Sequence, residues 1–322
     1  MWTLFILLSA FGGTSTSGQT GYIDLTAHFS RFHDETAGME EPSRVAKFHE
    51  RMDSLFPGFY APRFGLTQAE YDARIARALR DFPALRADYE RVRREFPAAY
   101  AAGIRHFREV FPGFTPDVPV YLLHSVGEMD GGTRDLDGKT YLIFGADVIA
   151  RIHDPGDITA FLDHELFHVE NGKYFADCAE VWCPLWAEGL ATYAAKVMNP
   201  GASDQRLLLT VPSPIRPAVD ANWPAAACFT RERLLSSESA DVEALFVGGT
   251  GKGEFPARFG YYVGLRIIEE LGGQYKLPEL ARMPPERAKA ALTQSLDRLI
   301  EKAGGCSLKV DRPRTPGTRR GS

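Results

Sequence analysis

Two histidines stand four positions apart in the run HELFH, residues 164–168, and a glutamate directly follows the first of them. In an α-helix, residues four apart lie on the same face, so both imidazoles can reach one ion without distorting the backbone. Glu165 is one step further round the helix, where it would flank such an ion within reach of a water molecule. The run therefore indicates a metal site that activates water, with His164 and His168 as ligands and Glu165 as the base.

A third donor stands in the run WAEG, residues 186–189, where Glu188 follows His168 by twenty positions. Zinc accepts imidazole nitrogen and carboxylate oxygen, and a catalytic zinc site combines three protein ligands with one open position. Two histidines and Glu188 fill the three protein positions. Zinc held there would acidify a water molecule and polarise a carbonyl group. Glu165 would then accept the proton of the water and pass it to a leaving amine.

A His-Glu-x-x-His run also arises by chance, and two histidines on a helix can be an ordinary solvated face. The residues around the pair favour the metal site, because four apolar residues recur at helical spacing: Ile158, Leu162, Leu166 and Val169. Asp157 is a candidate N-cap, and Asn171-Gly172 is a typical helix end. We therefore predict a helix over residues 157–171 that carries the histidines, and a second helix over about 185–198 that carries Glu188.

Together the two runs resemble the active-site sequences of the gluzincin metallopeptidases, the clan that includes thermolysin and the zinc aminopeptidases. The likeness rests on HELFH and, after nineteen residues, on Glu188 within LWAEGLATY, residues 185–193. The second run is most similar to those of aminopeptidases and of poorly characterised bacterial zinc proteases. The resemblance covers about residues 157–198. It implies that His164, His168 and Glu188 are the zinc ligands and that Glu165 is the general base.

Two weaker likenesses lie outside this region, and two features depart from the family pattern. KTYLIFG, residues 139–145, is similar to the strand that lines the substrate cleft of such enzymes, and RFGYYVG, residues 258–264, resembles a downstream helix of bacterial members. The Gly-Ala-Met-Glu-Asn run of the aminopeptidases is absent from the sequence. Thr192 stands where thermolysin-like enzymes have a carboxylate, four residues after the ligand glutamate, so the partner of one histidine must differ.

The downstream helix offers candidate donors for the oxyanion of peptide hydrolysis, because negative charge develops on the carbonyl oxygen in the transition state. Tyr261, Tyr262 and Arg258 are these candidates. Alternatively, one tyrosine packs in the core and the arginine forms a surface ion pair. The edge of the strand over 141–145 would pair with an extended peptide, and Gly145 would let the substrate backbone approach closely.

Four further residues are assigned less specific roles. Lone histidines more often fill a satisfied polar or surface role than a catalytic one, and we expect this of His124 and His153. Asp163 adjoins His164 but points away around the helix, so we expect it to be exposed to solvent. Tyr193 is expected only to pack.

The predicted fold class is α+β: a mainly helical, zincin-like metallopeptidase with a small antiparallel or mixed sheet beside the active-site helix. Residues 118–124 and 140–144 are rich in β-branched and aromatic residues and predict two strands, joined as a hairpin by a long Gly- and Asp-rich turn over 127–138. Thr67 and Glu70 predict a capping box at the start of a helical stretch that ends at Phe111. Prolines 83, 97 and 112 are expected to break this stretch into short helices.

The chain divides into four predicted segments. Residues 1–18 form a signal peptide, residues 19–112 a mostly helical N-terminal region, residues 113–305 the zinc peptidase core and residues 306–322 a disordered basic tail. Residues 19–66 look irregular, residues 199–225 contain several prolines and predict a loop over the cleft, and helices are expected over about 230–245, 258–271 and 285–302.

The predicted location is secreted or periplasmic, with no stable membrane insertion after signal removal. An apolar run over residues 2–11 precedes small residues, as in a signal peptide, and is too short to span a bilayer, although no Lys or Arg precedes it. The alternatives are a buried N-terminal strand and a misassigned start of the chain. The four cysteines allow three pairings, one of which closes the loop between the two metal helices through Cys178 and Cys183. Four free or buried thiols are the other interpretation.

Composition excludes some classes of protein. The chain has 322 residues, of which 44% are hydrophobic and 25% charged, as in a folded globular protein. Its net charge of −5 argues against binding to nucleic acid. The predicted function is a zinc-dependent peptidase that acts on a peptide or protein substrate. The alternatives are an exported, non-catalytic zinc-binding module and a zinc amidohydrolase of a non-peptide substrate.

Overall fold

The computed structural model describes residues 21–63, 65–154, 157–175, 178–250 and 253–306. The signal peptide predicted over 1–18 and nearly all of the tail predicted over 306–322 lie outside these residues. The described chain is mainly helical with one small mixed sheet, so it belongs to the α+β class. It divides into two compact units, the first comprising residues up to 101 together with 116–156, and the second comprising 102–115 together with the residues from 157 onward.

The first unit contains a four-stranded sheet with the order β1-β2-β4-β3. The strands are β1 (Ile23–Asp24), β2 (Val120–Leu123), β3 (Gly131–Leu136) and β4 (Lys139–Gly145). Strands β1 and β4 both pair with β2 in parallel, and β3 pairs with β4 antiparallel. The helices of this part of the chain are α1 (Thr26–Glu35), α2 (Glu41–Leu55), α3 (Gln68–Val110) and α4 (Ala146–Ile152). The boundary between the units falls within α3.

The predicted hairpin joins the wrong strands. Strand β2 runs parallel to β4, so these two strands do not form a hairpin. The hairpin forms instead between β3 and β4, and β3 lies inside the segment expected to be a turn. Its turn is Asp137-Gly138, whose φ angles of 51° and 75° are both positive. Two-residue hairpin turns of this kind favour Asp-Gly, because glycine adopts positive φ without steric cost and aspartate tolerates it. The dipeptide was the local signal for the hairpin.

Both roles expected for β4 in binding a peptide are also wrong. Strand β4 lies between β2 and β3, so its two edges are already paired and cannot accept a further strand. A Cβ atom on Gly145 would collide with the carbonyl oxygen of Met129 and lie 2.6 Å from the hydroxyl oxygen of Ser125. Gly145 thus makes room for the protein's own loop, not for a substrate backbone.

Helix α3 is one continuous helix of 43 residues, although prolines 83 and 97 lie inside it. The expected breaks at these prolines are wrong, whereas the helix does end two residues before Pro112. A proline within a helix costs about 3 kcal/mol, but the burial of a single large aromatic side chain returns a similar amount. The helix buries a long apolar stripe in the first unit: Tyr71, Ile75, Leu79, Phe82, Tyr89, Val92, Phe96 and Tyr100. Packing therefore outweighs the local preference of the prolines.

The capping box at the start of α3 is confirmed. The backbone N–H of Thr67 donates to Glu70 Oε2 at 2.8 Å, and the backbone N–H of Glu70 donates to Thr67 Oγ1 at 3.3 Å. The irregular structure expected over residues 19–66 is wrong, because α1 and α2 occupy much of it. These helices bury aromatic and apolar side chains among polar ones: Phe29, Phe32, Val45, Phe48 and Met52.

Among the residues that the structure describes, all regular structure of the second unit is helical. Its helices are α5 (Thr159–Asn171), α6 (Trp182–Met198), α7 (Ile215–Asp220), α8 (Trp223–Arg233), α9 (Ser239–Phe246), α10 (Phe259–Gly272), α11 (Leu277–Ala281) and α12 (Pro285–Lys302), together with α3 from residue 102. Helix α5 begins two residues later than predicted, and Asp157 forms an ion pair with Arg206 at 2.7 Å instead of capping it. The loop expected over 199–225 contains α7 and the start of α8.

Helices α6 and α10 cross in contact at two glycines. A Cβ atom on Gly264 would lie 2.7 Å from the carbonyl oxygen of Leu185 and 2.9 Å from the Cα atom of Gly189. A Cβ atom on Gly189 would lie 2.7 Å from the backbone carbon of Gly264. Only glycine at both positions lets the two backbones approach so closely, and the crossing places the middle of α10 against the middle of α6.

The four cysteines form two disulfides, Cys178–Cys183 and Cys228–Cys306, which selects one of the three pairings. The Cys178–Cys183 bridge is the pairing that the sequence suggested for closing the loop between the two metal helices, ahead of Glu188 on α6. The second ties the segment after α12 to α8. No helix within the described ranges combines the length and the apolar character that a membrane crossing requires.

Candidate metal centre

The two predicted metal helices bring their donor atoms together. Helix α5 carries His164 and His168, and α6 carries Glu188. The Nε2 atoms of the two imidazoles lie 3.2 Å apart, and Glu188 Oε2 lies 3.2 Å from His164 Nε2 and 3.4 Å from His168 Nε2. The three donor atoms thus form a nearly equilateral triangle. Within the described residues, they form the one group of three or more His, Cys, Asp or Glu side chains whose donor atoms converge in this way.

The size of the triangle fits zinc. In a tetrahedral site with bonds of roughly 2.0–2.2 Å, two ligand atoms lie about 3.3–3.6 Å apart, which is close to all three edges of the triangle. Two nitrogens and one carboxylate oxygen are also ligand types that zinc prefers. The donor set therefore fits a zinc ion by both its chemistry and its dimensions.

At His164 and Glu188 the surroundings favour the protonation states that a metal ion requires, which are neutral imidazole and ionised carboxylate. Burial lowers the pKa of His164, and the nearby His168 adds to this, although Glu188 acts in the opposite direction. Burial also opposes the ionisation of Glu188, but the two imidazoles hold the pKa of its carboxyl well below the usual range.

Glu165 directly follows the ligand candidate His164 on α5, and the residue is 5% exposed. The i,i+1 step on the helix sets it next to His164 and on a different face from the line that joins the histidines. A base that contacts water beside the ion without binding the ion itself would use this place on the helix. The role of Glu165 as that base stays a prediction.

The first turn of α10 also reaches the site. The ring of Tyr261 is nearly parallel to that of His164, with centroids 6.3 Å apart and an interplanar angle of 16°. The guanidinium of Arg258 lies over the Tyr261 ring, 4.3 Å from its centroid, and contributes to the lowered pKa of His164. Arg258 adopts a left-handed conformation with φ of 64°, which non-glycine residues use rarely and often at functional sites.

The hydroxyl of Tyr262, the third oxyanion candidate, has other partners. It donates to Asp220 Oδ1 at 2.8 Å and accepts from Arg216 Nη1 at 3.3 Å. Burial, with the Asp220 bond, raises the pKa of Tyr262 to about 12. Arg216 continues to Asp204, so Tyr262 belongs to a polar network that joins α10 to α7 and to the loop before it. Of the three candidates, Tyr261 and Arg258 are the ones that the structure brings to the triangle.

Asp163 is not exposed as predicted but fully buried. Its Oδ2 atom lies 2.9 Å from His106 Nδ1 and accepts from Asn199 Nδ2 at 2.7 Å. Burial raises the pKa of Asp163 to about 6, although both partners act in the opposite direction. Sequence reasoning treated α5 as a helix with one buried face, whereas nearly all of its residues are buried. The signal was the mostly apolar run over 158–169, which is typical of a helix surrounded by protein.

The remaining predicted residues take structural roles. His124 and His153 are satisfied, as expected: His124 Nδ1 accepts from the backbone N–H of Val126 at 3.1 Å, and His153 Nε2 lies 2.9 Å from Asp130 Oδ2. The hydroxyl of Thr192 donates to the backbone carbonyl of Glu188 within α6 at 2.8 Å.

No family profile, curated protein or solved structure matches the chain.

Proposed function

We propose that the chain is a zinc-dependent peptidase with a zincin-like fold of the gluzincin type. The observation that carries the proposal is the triangle of His164, His168 and Glu188, whose edges of 3.2–3.4 Å match those of a tetrahedral zinc site. Glu165 beside the triangle supplies the base that a hydrolase requires. The substrate class is a peptide or protein.

The residues around the triangle have distinct roles in this reaction. Zinc held by the three donors would acidify water and polarise the scissile carbonyl. Glu165 accepts a proton from the attacking water and returns it to the leaving amine, so the products are a carboxylic acid and an amine. Tyr261 and Arg258 stabilise the negative charge that develops on the carbonyl oxygen. Burial of the site strengthens each of these interactions, because water screens them less.

Two alternatives make different predictions. A structural zinc site is closed by four protein ligands, whereas the converging group within the described ranges has three members, which supports a site with one open position. A hydrolase of non-peptide amides would use the same ion and the same base, so only substrate profiling separates it from a peptidase.

Export from the cytoplasm is part of the proposal. Disulfides persist in oxidising compartments and are rare in the cytosol, and both disulfides of this chain support a secreted or periplasmic location.

The substitution Glu165→Gln tests the proposed role of the base. It keeps the size of the side chain and removes its basicity, so we expect zinc to stay bound while peptide cleavage falls about 10²–10⁴-fold. The matched control is Glu170→Gln, the same change on the same helix at a carboxylate that pairs with Lys173. Metal content and cleavage rate are measured on both variants. Full activity of zinc-loaded Glu165→Gln protein would refute the assignment.

A further inference from the structure

Asp163 joins three helices of the second unit through one carboxylate. It stands on α5 directly before His164, and its partner Asn199 is the C-cap residue that directly follows α6. Its other partner, His106, lies in the last turns of α3. The bond from Asn199 Nδ2 to Asp163 Oδ2, at 2.7 Å, therefore links the helix that carries the histidines to the helix that carries Glu188.

Stability alone gives no reason for a carboxylate at this position. Removing a charge from water costs several kcal/mol, and an apolar side chain of similar volume is often as stable or more stable. Apolar contacts already join α5 to the end of α3: a Cβ atom on Gly103 would lie 3.0 Å from Leu162 Cδ1, and the ring of Phe111, directly after α3, lies 6.0 Å from that of Phe167 between centroids. Asp163 Oδ1 is buried without a hydrogen-bond partner among the residues that the structure describes. The carboxylate thus adds cost where packing already exists.

A hydrogen bond supplies direction, which apolar packing does not. Asn199 follows Glu188 by eleven residues, which corresponds to about three helical turns. It therefore lies on the same face as Glu188, about 16 Å further along the axis of α6. On α5, by contrast, Asp163 and His164 are neighbours. The two helices are therefore tied at two points, one through His164 and Glu188 and the other through Asp163 and Asn199. Two ties that are distant along α6 resist rotation of α5 about the crossing.

We propose that Asp163 is a positioning residue that, with Asn199 and His106, fixes the crossing of α5 and α6 at which the three donor atoms converge. Zinc sites tolerate displacements of only about 0.2 Å in their ligand distances, so a small rotation of α5 would spoil the triangle. Asp163 itself touches neither the ion nor the substrate. The inference rests on the proposed zinc centre.

The test compares Asp163→Leu, which removes the tie, with Asp163→Asn, which keeps an acceptor for Asn199. Zinc affinity is measured by competition with a chromophoric chelator, and the visible spectrum of the Co²⁺-loaded protein reports the coordination geometry. We expect Asp163→Leu to bind zinc about 10–100-fold more weakly and to shift the Co²⁺ bands, as loss of a supporting partner does in other zinc sites. Asp163→Asn should bind within about threefold of the wild type.

Asn171→Leu is the matched control. Asn171 is also buried on α5, but its Nδ2 atom donates to the carbonyl oxygen of Ala281 at 2.8 Å and so ties α5 to α11. We expect this variant to lower the melting temperature of the metal-free protein and to keep zinc affinity. If Asp163→Leu does not fold, Asn199→Ala removes the same tie, since Asn199 is only half-buried at the end of α6.

The outcomes separate this inference from the proposed function. Wild-type zinc affinity and an unchanged Co²⁺ spectrum in Asp163→Leu would overturn the positioning role while leaving the zinc centre intact. Equal weakening by Asn171→Leu would overturn it too, because the effect would then be a general loosening of α5. A wild-type chain that binds no zinc would overturn both.

Discussion

Glu188 is the residue on which the candidate centre depends most, because it supplies the only carboxylate of the donor triangle and comes from a different helix than the histidines. We expect Glu188→Ala to weaken zinc binding at least about tenfold, since even supporting partners of zinc ligands contribute that much. Zinc content after dialysis measures the effect. Glu269→Ala is the control. Glu269 lies on α10 and pairs with Lys196 of α6, the helix that carries Glu188, but it does not belong to the donor triangle. Retention of a full equivalent of zinc by Glu188→Ala would show that the carboxylate is not a ligand.

Single residues show what spacing can and cannot predict about the site. The i,i+4 spacing of His164 and His168 is a property of one helix, so it was readable from the sequence, and the run around Glu188 indicated its partner. The burial of Asp163 and the pairing of Tyr262 with Asp220 depend on which helices meet, and no local pattern encodes that. Contacts within a helix were predictable, and so was the contact between α5 and α6 that a motif marks, whereas contacts between helices without such a motif were not.

The crossing of α6 and α10 positions Tyr261 and Arg258, and its glycines make a prediction at the scale of elements. Gly264→Ala adds a Cβ atom 2.7 Å from the carbonyl oxygen of Leu185, so the helices must separate. Such overpacking costs about 1–3 kcal/mol of stability, and it should lower the cleavage rate by moving Tyr261. Denaturant unfolding and peptide cleavage measure the two effects. Gly38→Ala is the control, since a Cβ atom there meets nothing within 4 Å, and equal behaviour of the two variants would contradict the account.

His124, which directly follows β2, should make the stability of the protein depend on pH. The ring of His124 stacks on Phe29 with centroids 3.6 Å apart, and its Nδ1 atom accepts from the backbone N–H of Val126, so protonation would break this bond. Burial lowers the pKa of His124 from 6.5 to about 4, although Asp147 opposes the shift. The unfolded chain therefore takes up this proton at a higher pH than the folded chain does. The contribution of His124 to stability is complete above pH 6.5 and is lost as the pH falls towards 4, by about 3 kcal/mol.

Urea unfolding followed by circular dichroism at several pH values between 4 and 7 checks this loss. In His124→Asn, the amide oxygen can still accept from Val126 but does not titrate, so stability should fall less steeply between pH 6.5 and 4. A variant that loses stability as steeply as the wild type would place the titration elsewhere.

The positions of helices and strands were predicted correctly where a single local signal determines them. The reciprocal bonds of Thr67 and Glu70 start α3, and the strand candidates lie where β2 and β4 form. Pro83 and Pro97 gave an equally clear local signal, which the buried aromatic stripe of α3 overrides. The partner of β4 was also beyond local reasoning, since parallel pairing with β2 depends on chain segments far apart in sequence.

At the scale of the whole chain, the two disulfides should differ in what they contribute to stability. Cys228 and Cys306 are 78 positions apart, whereas Cys178 and Cys183 are five apart. A longer closed loop restricts the unfolded chain more. The loop-entropy model gives a stabilisation of about 4.5 kcal/mol for Cys228–Cys306 and about 2 kcal/mol for Cys178–Cys183. Cys228→Ser/Cys306→Ser should therefore lower the melting temperature more than Cys178→Ser/Cys183→Ser. The reverse order in calorimetry would contradict this.

At the scale of the whole molecule, we propose that one zinc ion, held by three side chains from two helices, makes the chain a peptidase. The most direct test is metal analysis combined with cleavage of a peptide library by the same protein sample, with and without a chelator. We predict one zinc per chain, cleavage that the chelator abolishes, and recovery of cleavage when zinc is added back. Zinc-free protein that cleaves peptides, or zinc-loaded protein that cleaves no peptide in the library, would contradict the account.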